Sequence, residues 1–545
     1  MAINHHAFPQ PEDQGFDWTC HSLGVTKKMS PHRLTGFAST APDDPFRIDE
    51  NGYPYHQNNE DAMEFLRESK DQPFFLYYAT WLVHSPIQTR SLANLEKYCK
   101  KLGVNIPTDP EKWELEGQRI PFYCAMVEEL DHHVGRLFDY LDQTEDPRWP
   151  GHTLIENTYL IFTSDNSGME QHPSEIITDN YPLDRGKISA REGGTRVPLI
   201  VAGPGIPGGT QSDVMVNGLD FYPTVLSLCG IKKPVEKHLD GCDLRPLLLG
   251  DPTDPAVVKT ADGTVRDTLV WHFPHSVAME STIRIGDYKL IRKYDHVGNP
   301  NVESELELFR LYKSDDGKQE RADIEESANL AEAMPEKAKQ MNDRLTQLLS
   351  EMKASYPYYN PDYNKSLPHQ EHVCNVVSHE QIDSNVNIVF HENGAKVVRA
   401  NLIYTPNGGQ RYEEWYRMAA TLHDESKASA KLPEGTTHYF FNLIDENNFL
   451  RSYPEVVDVI GQQNGKHPYS LTALENENFK GTVSSKTHRP KTNRQRAFRR
   501  WDTNQDQSLS LDEYKAGLSG HSDLERRFRH FETNGDSLLS PDEFK

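Results

Sequence analysis

The sequence predicts an α/β protein. A mainly parallel sheet flanked by helices comes first, then a small antiparallel C-terminal subdomain, a β-sandwich-like domain and an EF-hand pair. Three observations predict this. Over the first 235 residues, short β-prone apolar runs alternate with segments of helical periodicity, the pattern of helices laid on a parallel sheet. From about residue 236 the pattern turns to hairpins, and from 370 to 462 to short strands separated by turn signals, which suits a sandwich. An oxygen-bearing pattern at 502–513 recurs at 532–543, thirty residues further on.

The totals bound the answer. A chain of 545 residues corresponds to about three or four domains. Hydrophobic residues make up 36% and charged residues 26%, enough for a large core. No run of eighteen apolar residues occurs, so no membrane span is expected. The net charge of -24 argues against nucleic acid as a partner, while a local basic site can still take an anion. The six cysteines, Cys20, Cys99, Cys124, Cys229, Cys242 and Cys374, form no C-x-x-C pair. Zinc is therefore not expected and disulfide pairing is not readable. Residues 1–6 show neither the basic nor the apolar stretch of a signal peptide.

The elements follow in order. Residues 60–70 read as a helix, and 73–79, Pro-Phe-Phe-Leu-Tyr-Tyr-Ala, as a buried strand. That run leads to His84; taken alone, a histidine there is more often a hydrogen-bonded loop residue than a catalyst. Tyr123, Met126, Val127, Leu130, Val134, Leu137 and Leu141 fall at helical spacing, so 120–143 is an amphipathic helix. His132 and His133 lie off that stripe and read as solvated or structural. The β-prone run from Leu160 delivers Asp165 and Asn166 at its end, where open α/β sheets gather their ligands. Their hard oxygens suit Ca²⁺ or Mg²⁺. Lys187 follows in a glycine-rich loop and offers a point charge to an anionic group. Arg185 and Arg191 either strengthen that field or hold the loop; Arg196 reads as a loop-holding residue. Glu192 reads as ordering the loop rather than acting as a base. Residues 197–202 form a second buried strand, and Asp220 reads as the N-cap of a helix with an early Pro223.

Beyond the sheet, 268–272, 281–292 and 306–311 read as strands, with Gly286 and Asp287 as a hairpin turn. Pro335 opens a helix carrying Met341, Leu345, Leu348, Leu349 and Met352 on its apolar side. Residues 357–361 read as a linker. The β-rich region either binds carbohydrate or packs on its neighbour; packing is the preferred reading, since exposed aromatics alone say little. The units expected are 1–235, 236–362, 370–462, a linker at 463–494, and the tail at 495–545.

The tail carries two loops of EF-hand type. The first offers Asp502, Asn504, Asp506, the Ser508 carbonyl, Ser510 and Glu513. The second offers Glu532, Asn534, Asp536, the Leu538 carbonyl, Ser540 and Glu543. The pattern wants glycine at its sixth position, where Gln507 and Ser537 stand. A left-handed non-glycine residue costs roughly 1–2 kcal/mol, and Glu532 replaces the usual Asp, so weak Ca²⁺ binding is expected. The competing reading is a solvated acidic helix pair.

Thr163-Ser-Asp-Asn-x-Gly168, Arg185-Gly-Lys187 and Glu192-Gly-Gly-x-Arg-Val-Pro198, in this order and spacing, resemble the sulfatase family, arylsulfatase-like and formylglycine-dependent, of the alkaline-phosphatase-like superfamily. The resemblance runs from about residue 11 to 360. It implies a sulfuric ester hydrolase in which a formylglycine hydrate attacks sulfur and Ca²⁺ acts as Lewis acid. Asp165 and Asn166 would be metal ligands, Lys187 a sulfate binder, and His84 a sulfate binder and proton donor to the leaving oxygen. A sulfated small molecule or glycan is the implied substrate, the glycan being suggested by the appended β-domain. The sequence departs from the family at its start, first in the missing leader and then in the opening of the catalytic domain. Residues 11–18 resemble the piece that follows the family's Gly-Lys-x-His loop, so the Asp-Asp metal ligands and the Cys-x-Pro-x-Arg nucleophile are not found. Met29-Ser-Pro-His-Arg33 has Met where the cysteine belongs, and a thioether cannot become an aldehyde hydrate. The expectation is an N-terminally truncated sequence, inactive by itself, from a protein that is periplasmic or secreted when intact. Two competing readings are a related metal-dependent phosphoester hydrolase and a non-catalytic calcium-binding or interaction protein descended from a sulfatase.

Overall fold

The computed structural model describes residues 11–19, 37–106, 120–170, 178–454, 501–517 and 528–540, with short gaps inside those ranges. Helix α1 (Gln57–Ser69) turns Ala62, Met63 and Leu66 onto Leu137 and Leu141 of α3 (Pro121–Gln143). Between them in sequence, α2 (Leu92–Leu102) is capped by the Ser91 side chain, which accepts the Asn94 N–H, and is ended by left-handed Gly103. Leu95 and Cys99 of α2 meet Phe122 and Met126 of α3. Among the described residues, no helix is long and apolar enough to cross a membrane.

The sheet expected in this region is smaller and differently paired. Strand β1 (Leu160–Thr163) pairs with β2 (Leu199–Ala202) antiparallel, Thr163 facing Leu199, with the short helix α4 (Glu192–Thr195) lying between them in sequence. Every described strand ladder in the molecule is antiparallel, which corrects the mainly parallel expectation. The 73–79 run is extended but enters no described ladder. Its alternate side chains face opposite ways. Phe74, Leu76 and Tyr78 pack on α1, α3 and Leu160, whereas Phe75 and Tyr77 are 59% and 73% exposed. Ile200 on β2 is 63% exposed. A continuous apolar run promises cover on both faces; among the described residues the helices cover one, and on the other Phe75 meets the Phe16 ring at 6.2 Å.

A second correction concerns Asp220, which precedes α5 (Phe221–Leu228) without capping it. Its carboxylate turns inward, accepts the N–H groups of Asn217 and Cys242 at 2.8 Å each, and grips both guanidinium ends of Arg266. Asn217 caps the 3-10 turn that leads into the helix. A buried guanidinium needs a carboxylate more than an exposed helix end does. A short helix, α6 (Arg245–Leu249), follows.

The next unit is a four-stranded antiparallel sheet of β3 (Thr268–Phe273), β4 (Glu280–Ile285), β5 (Tyr288–Lys293) and β6 (Leu306–Arg310), in that order. Gly286 supplies the positive φ of 53° for the β4–β5 turn. A hairpin of β7 (Tyr312–Asp315) and β8 (Lys318–Arg321) follows. Helix α7 (Pro335–Glu351) lays Ala338, Met341, Leu345 and Leu349 on Ile283, Leu290 and Leu308. Met352 lies past the helix end and is exposed. The other face of the sheet carries Ile291 and Phe309, and Leu183 packs there. The sheet is thus held by α7 on one side and by the loop that bears Lys187 on the other.

Residues 375–453 form two four-stranded antiparallel sheets. One is β9 (Asn375–Ile382), β10 (Asn385–His391), β13 (Thr421–His423) and β14 (Lys427–Lys431). The other is β11 (Val397–Thr405), β12 (Tyr416–Ala419), β15 (His438–Asp445) and β16 (Leu450–Tyr453). Their shared core is Val386, Ile388, Phe390, Leu402, Phe441 and Leu443. Residues 357–361, expected as a linker, are instead a seam. Tyr359 bridges to Phe449, the Asn448 side chain donates to the Pro357 carbonyl, and Arg417 reaches Ser355. In the tail, β17 (Leu509–Ser510) precedes α8 (Leu511–Gly517) and pairs with β18 (Leu538–Leu539) over a core of Trp501, Leu509, Tyr514, Phe528 and Leu539. Cys20, the Met29–Arg33 stretch, the linker at 463–494, Asn534 and Glu543 lie outside the described residues.

Candidate functional site

The site forms where β1 ends. After Thr163 the chain turns, with the Ser164 hydroxyl donating to the Asn166 carbonyl at 2.7 Å; Asp165 is exposed and Asn166 half-buried. Two residues on, Gly168 is required: a Cβ there would lie 2.3 Å from Thr178 Oγ1. The Gly168 carbonyl accepts the Lys187 N–H at 2.8 Å, which fastens the lysine loop to the turn after β1. Asn180 tightens the join by donating to the Gly168 and Arg185 carbonyls, at 3.2 and 2.9 Å. Nothing in the sequence singles out Asn180; its role exists only because two distant turns converge on it.

The lysine itself is held under strain. Its neighbours Arg185 and Ile188 are left-handed, with φ of 60° and 72°, a genuine outlier for a β-branched residue. Lys187 Nζ stands 3.2 Å from Nε2 of His84, 103 residues away in sequence. The histidine is set by a turn in which its N–H donates to the Trp81 carbonyl at 2.9 Å, and its ring lies 5.2 Å from the Trp81 ring. At 3.2 Å the two nitrogens are within hydrogen-bond reach, and the direction of the bond follows the tautomer of the imidazole.

The charged residues around the lysine divide by burial. Arg191 is 6% exposed; it pairs with Glu307 at 2.9 Å, donates to the Glu326 carbonyl and lies over the Phe309 ring. Arg196 pairs with Glu192 at 2.5 Å and donates to the Tyr312 hydroxyl. Both hold the loop, while the Arg185 side chain is 49% exposed beside Asp184. Glu192 is buried between Lys289, at 2.8 Å, and Arg196. Burial alone would raise its pKa, but Lys289 and Arg196 outweigh that and bring it down to about 2. It is an ionised strut in the loop.

Asp165 and Asn166 are two donors, and Ca²⁺ takes six to eight oxygens. Among the described residues, no group of three His, Cys, Asp or Glu side chains stands close enough to hold a metal. The described residues thus do not complete a catalytic calcium site. The described cysteines Cys99, Cys124, Cys229, Cys242 and Cys374 are free thiols in elements remote in sequence from this loop.

The tail loops have a geometry of their own. Asp502 accepts the N–H groups of Asp506 and Gln507, Asn504 accepts from Asp506, and Asp506 accepts from Ser508, at 2.8–3.1 Å. Ser510 donates to Glu513 at 2.8 Å, and in the second loop Asp536 accepts the Leu538 N–H. Gln507 and Ser537 are left-handed, with φ of 66° and 67°, at the position where such loops turn sharply. Leu509 pairs with Leu539, joining the loops back to back. Of the second loop's oxygen donors, Glu532, Asp536, Leu538 and Ser540 are among the described residues.

Residues 3–231 match the family model described as Sulfatase, and residues 187–351 match that described as N-sulphoglucosamine sulphohydrolase, C-terminal. A sulfatase of Formosa agariphila is 36% identical over 219 residues, covering 38% of this chain and 34% of its own length. An N-acetylgalactosamine-6-sulfatase of Canis lupus familiaris is 29% identical over 235 residues, covering 42% of this chain and 36% of its own length. The chain spans about a third of the length of these relatives. A solved structure from work on glycosaminoglycan metabolism by Bacteroides thetaiotaomicron shares 21% identity, covering 54% of this chain and 53% of that chain, with a TM-score of 0.37.

Proposed function

We propose that this chain, whose residues 3–231 and 187–351 match two sulfatase models, contributes the sulfate-binding half of a sulfuric ester hydrolase acting on sulfated glycans. The observation that carries the reading is the meeting of Lys187 and His84 at 3.2 Å across 103 residues of sequence. A sulfate monoester brings its anionic oxygens to the ammonium of Lys187. Hydrolysis bonds an oxygen that derives overall from water to sulfur and breaks the S–O bond to the alcohol, whose oxygen leaves with a proton from a protonated His84, while Lys187 stabilises the charge on the sulfate oxygens. No described residue supplies the attacking oxygen. Asp165 and Asn166 stand at the end of β1 as two of the donors a Ca²⁺ ion would need; such an ion would supply Lewis-acid polarisation of the sulfate. The glycan preference rests on the sugar sulfatase among the relatives.

The test is direct. Inorganic sulfate and a galactosamine 6-sulfate are titrated into the protein by calorimetry, and a chromogenic sulfate ester is offered to protein purified from its source. Lys187→Ala is expected to weaken binding at least tenfold and to abolish any hydrolysis. Equal sulfate binding by the parent and Lys187→Ala would overturn the reading.

A second reading applies to the tail, where we propose that the loops at 502–513 and 532–543 take Ca²⁺. It is favoured by the left-handed Gln507 and Ser537 and by the Leu509–Leu539 pairing. A Ca²⁺ titration followed through Trp501 fluorescence should saturate, and Glu513→Gln should weaken it. A flat response would sink the reading.

A further inference from the structure

We infer that Glu280 and Glu326, two buried carboxylates of the following subdomain, are positioning residues that set Lys187 against His84; this deepens the sulfate-binding reading and rests on it. The loop cannot hold its own shape. Arg185 and Ile188 flank the lysine in left-handed backbone, which is strained for residues with a Cβ, and such strain persists only where the surroundings over-determine it.

The surroundings do so from two sides. Toward β1, the Lys187 N–H is fastened to the Gly168 carbonyl. Three residues later the Ala190 N–H donates to Glu280 on β4, and five residues later the Glu192 N–H donates to Glu326 at 2.6 Å. These acceptors are 2% and 4% exposed. A buried lysine of β5 stands beside each. Lys293 pairs with Glu280, and Lys289, fully buried, stands 2.8 Å from Glu192 and 3.0 Å from Glu326. A bond to an ionised carboxylate is about twice as strong as a neutral one, and burial pushes the Glu326 carboxyl up against that charge. Arg191 adds a third tie by donating to the Glu326 carbonyl at 3.1 Å. The loop is therefore latched between the turn after β1 and the face of the β3–β6 sheet, with Lys187 next to the first of these anchors.

The experiment compares the parent protein with Glu280→Gln and Glu326→Gln. Each variant keeps the side-chain length but places an amide N–H₂ against a lysine. Amide hydrogen exchange is read peptide by peptide, with inorganic sulfate affinity and the melting temperature alongside. Exchange in 186–196 is expected to rise at least tenfold while β3–β6 and α7 keep their protection, and sulfate affinity is expected to fall at least fivefold. Glu280→Asp, which retains the charge, should recover part of both. Two independent variants guard against one failing to fold. Unchanged exchange in 186–196 would overturn the inference, as would a uniform rise across the sheet or a loosened loop with undiminished sulfate affinity. If the parent itself binds no sulfate, the sulfate-binding reading and the positioning role that rests on it both fail, and the exchange data then speak only to whether the loop is held.

Discussion

Replacing Asp220 by alanine tests the assignment of that residue as a buried ion-pair partner. Asp220 is fully buried and Arg266 is 8% exposed. The carboxylate accepts from both guanidinium ends and from the N–H groups of Asn217 and Cys242. Removing one member of a buried pair typically costs 3–5 kcal/mol, because the other charge is left without compensation. The two orphaned backbone donors overlap with this cost rather than adding in full, so about 4 kcal/mol is expected. For a region of roughly 200 residues that corresponds to a fall of about 8–16 °C in melting temperature. Urea denaturation followed by tryptophan fluorescence, with a thermal melt beside it, supplies the measurement. The double variant Asp220→Ala/Arg266→Met should recover a substantial part of the loss, since it removes the stranded charge. A loss below about 1 kcal/mol, or a strictly additive double variant, would show that the pair is solvated and the reasoning wrong.

Other outcomes follow from single features. Gly193→Ala places a Cβ 2.1 Å from the Arg185 carbonyl, so it should destabilise by about 1–3 kcal/mol and weaken sulfate binding in the same titration. In the tail, Gln507→Gly and Ser537→Gly relieve left-handed strain, partly offset by greater freedom in the unfolded chain. Each should stabilise the tail by about 0.5–1 kcal/mol, read from its thermal transition, and a loss of stability would contradict the geometry. His133 is held at about 3, below its ordinary 6.5, first by burial and then by His56 and His132. The fold thus refuses a proton that the unfolded chain accepts. Its contribution is complete above pH 6.5 and falls by about 1.4 kcal/mol per unit as pH drops toward 3. Urea midpoints at pH 7, 6 and 5 should show that slope, and His133→Gln should flatten it.

What the sequence disclosed follows the range of the forces involved. Helices α3 and α7 and the β4–β5 turn were legible because periodicity and a glycine at a positive φ are local signals. The left-handed turns at Gln507 and Ser537 likewise follow from loop spacing alone. The 73–79 run misled because an apolar stretch records what could be buried, and says nothing of which face has a covering layer. Asp220 looked like a cap because its partner lies 46 residues away. At the site, Lys187 and His84 were picked out through a family resemblance. Asn180, Glu280 and Glu326 were invisible to it, since each acts through a backbone group supplied by a remote turn.

The bridge between Tyr359 and Phe449 bears on how such a chain can be inherited. A cassette cut at residue 370 and carried through 454 would leave behind the run that covers the backbone of Asn448 and Leu450, and would uncover Phe449, now 1% exposed. Its boundary for recombination lies nearer residue 353, where Arg417 first takes hold of the preceding segment. A gene that borrowed the sandwich would have to borrow the stretch from about 353 to 369 with it, and could leave α7 and its sheet behind.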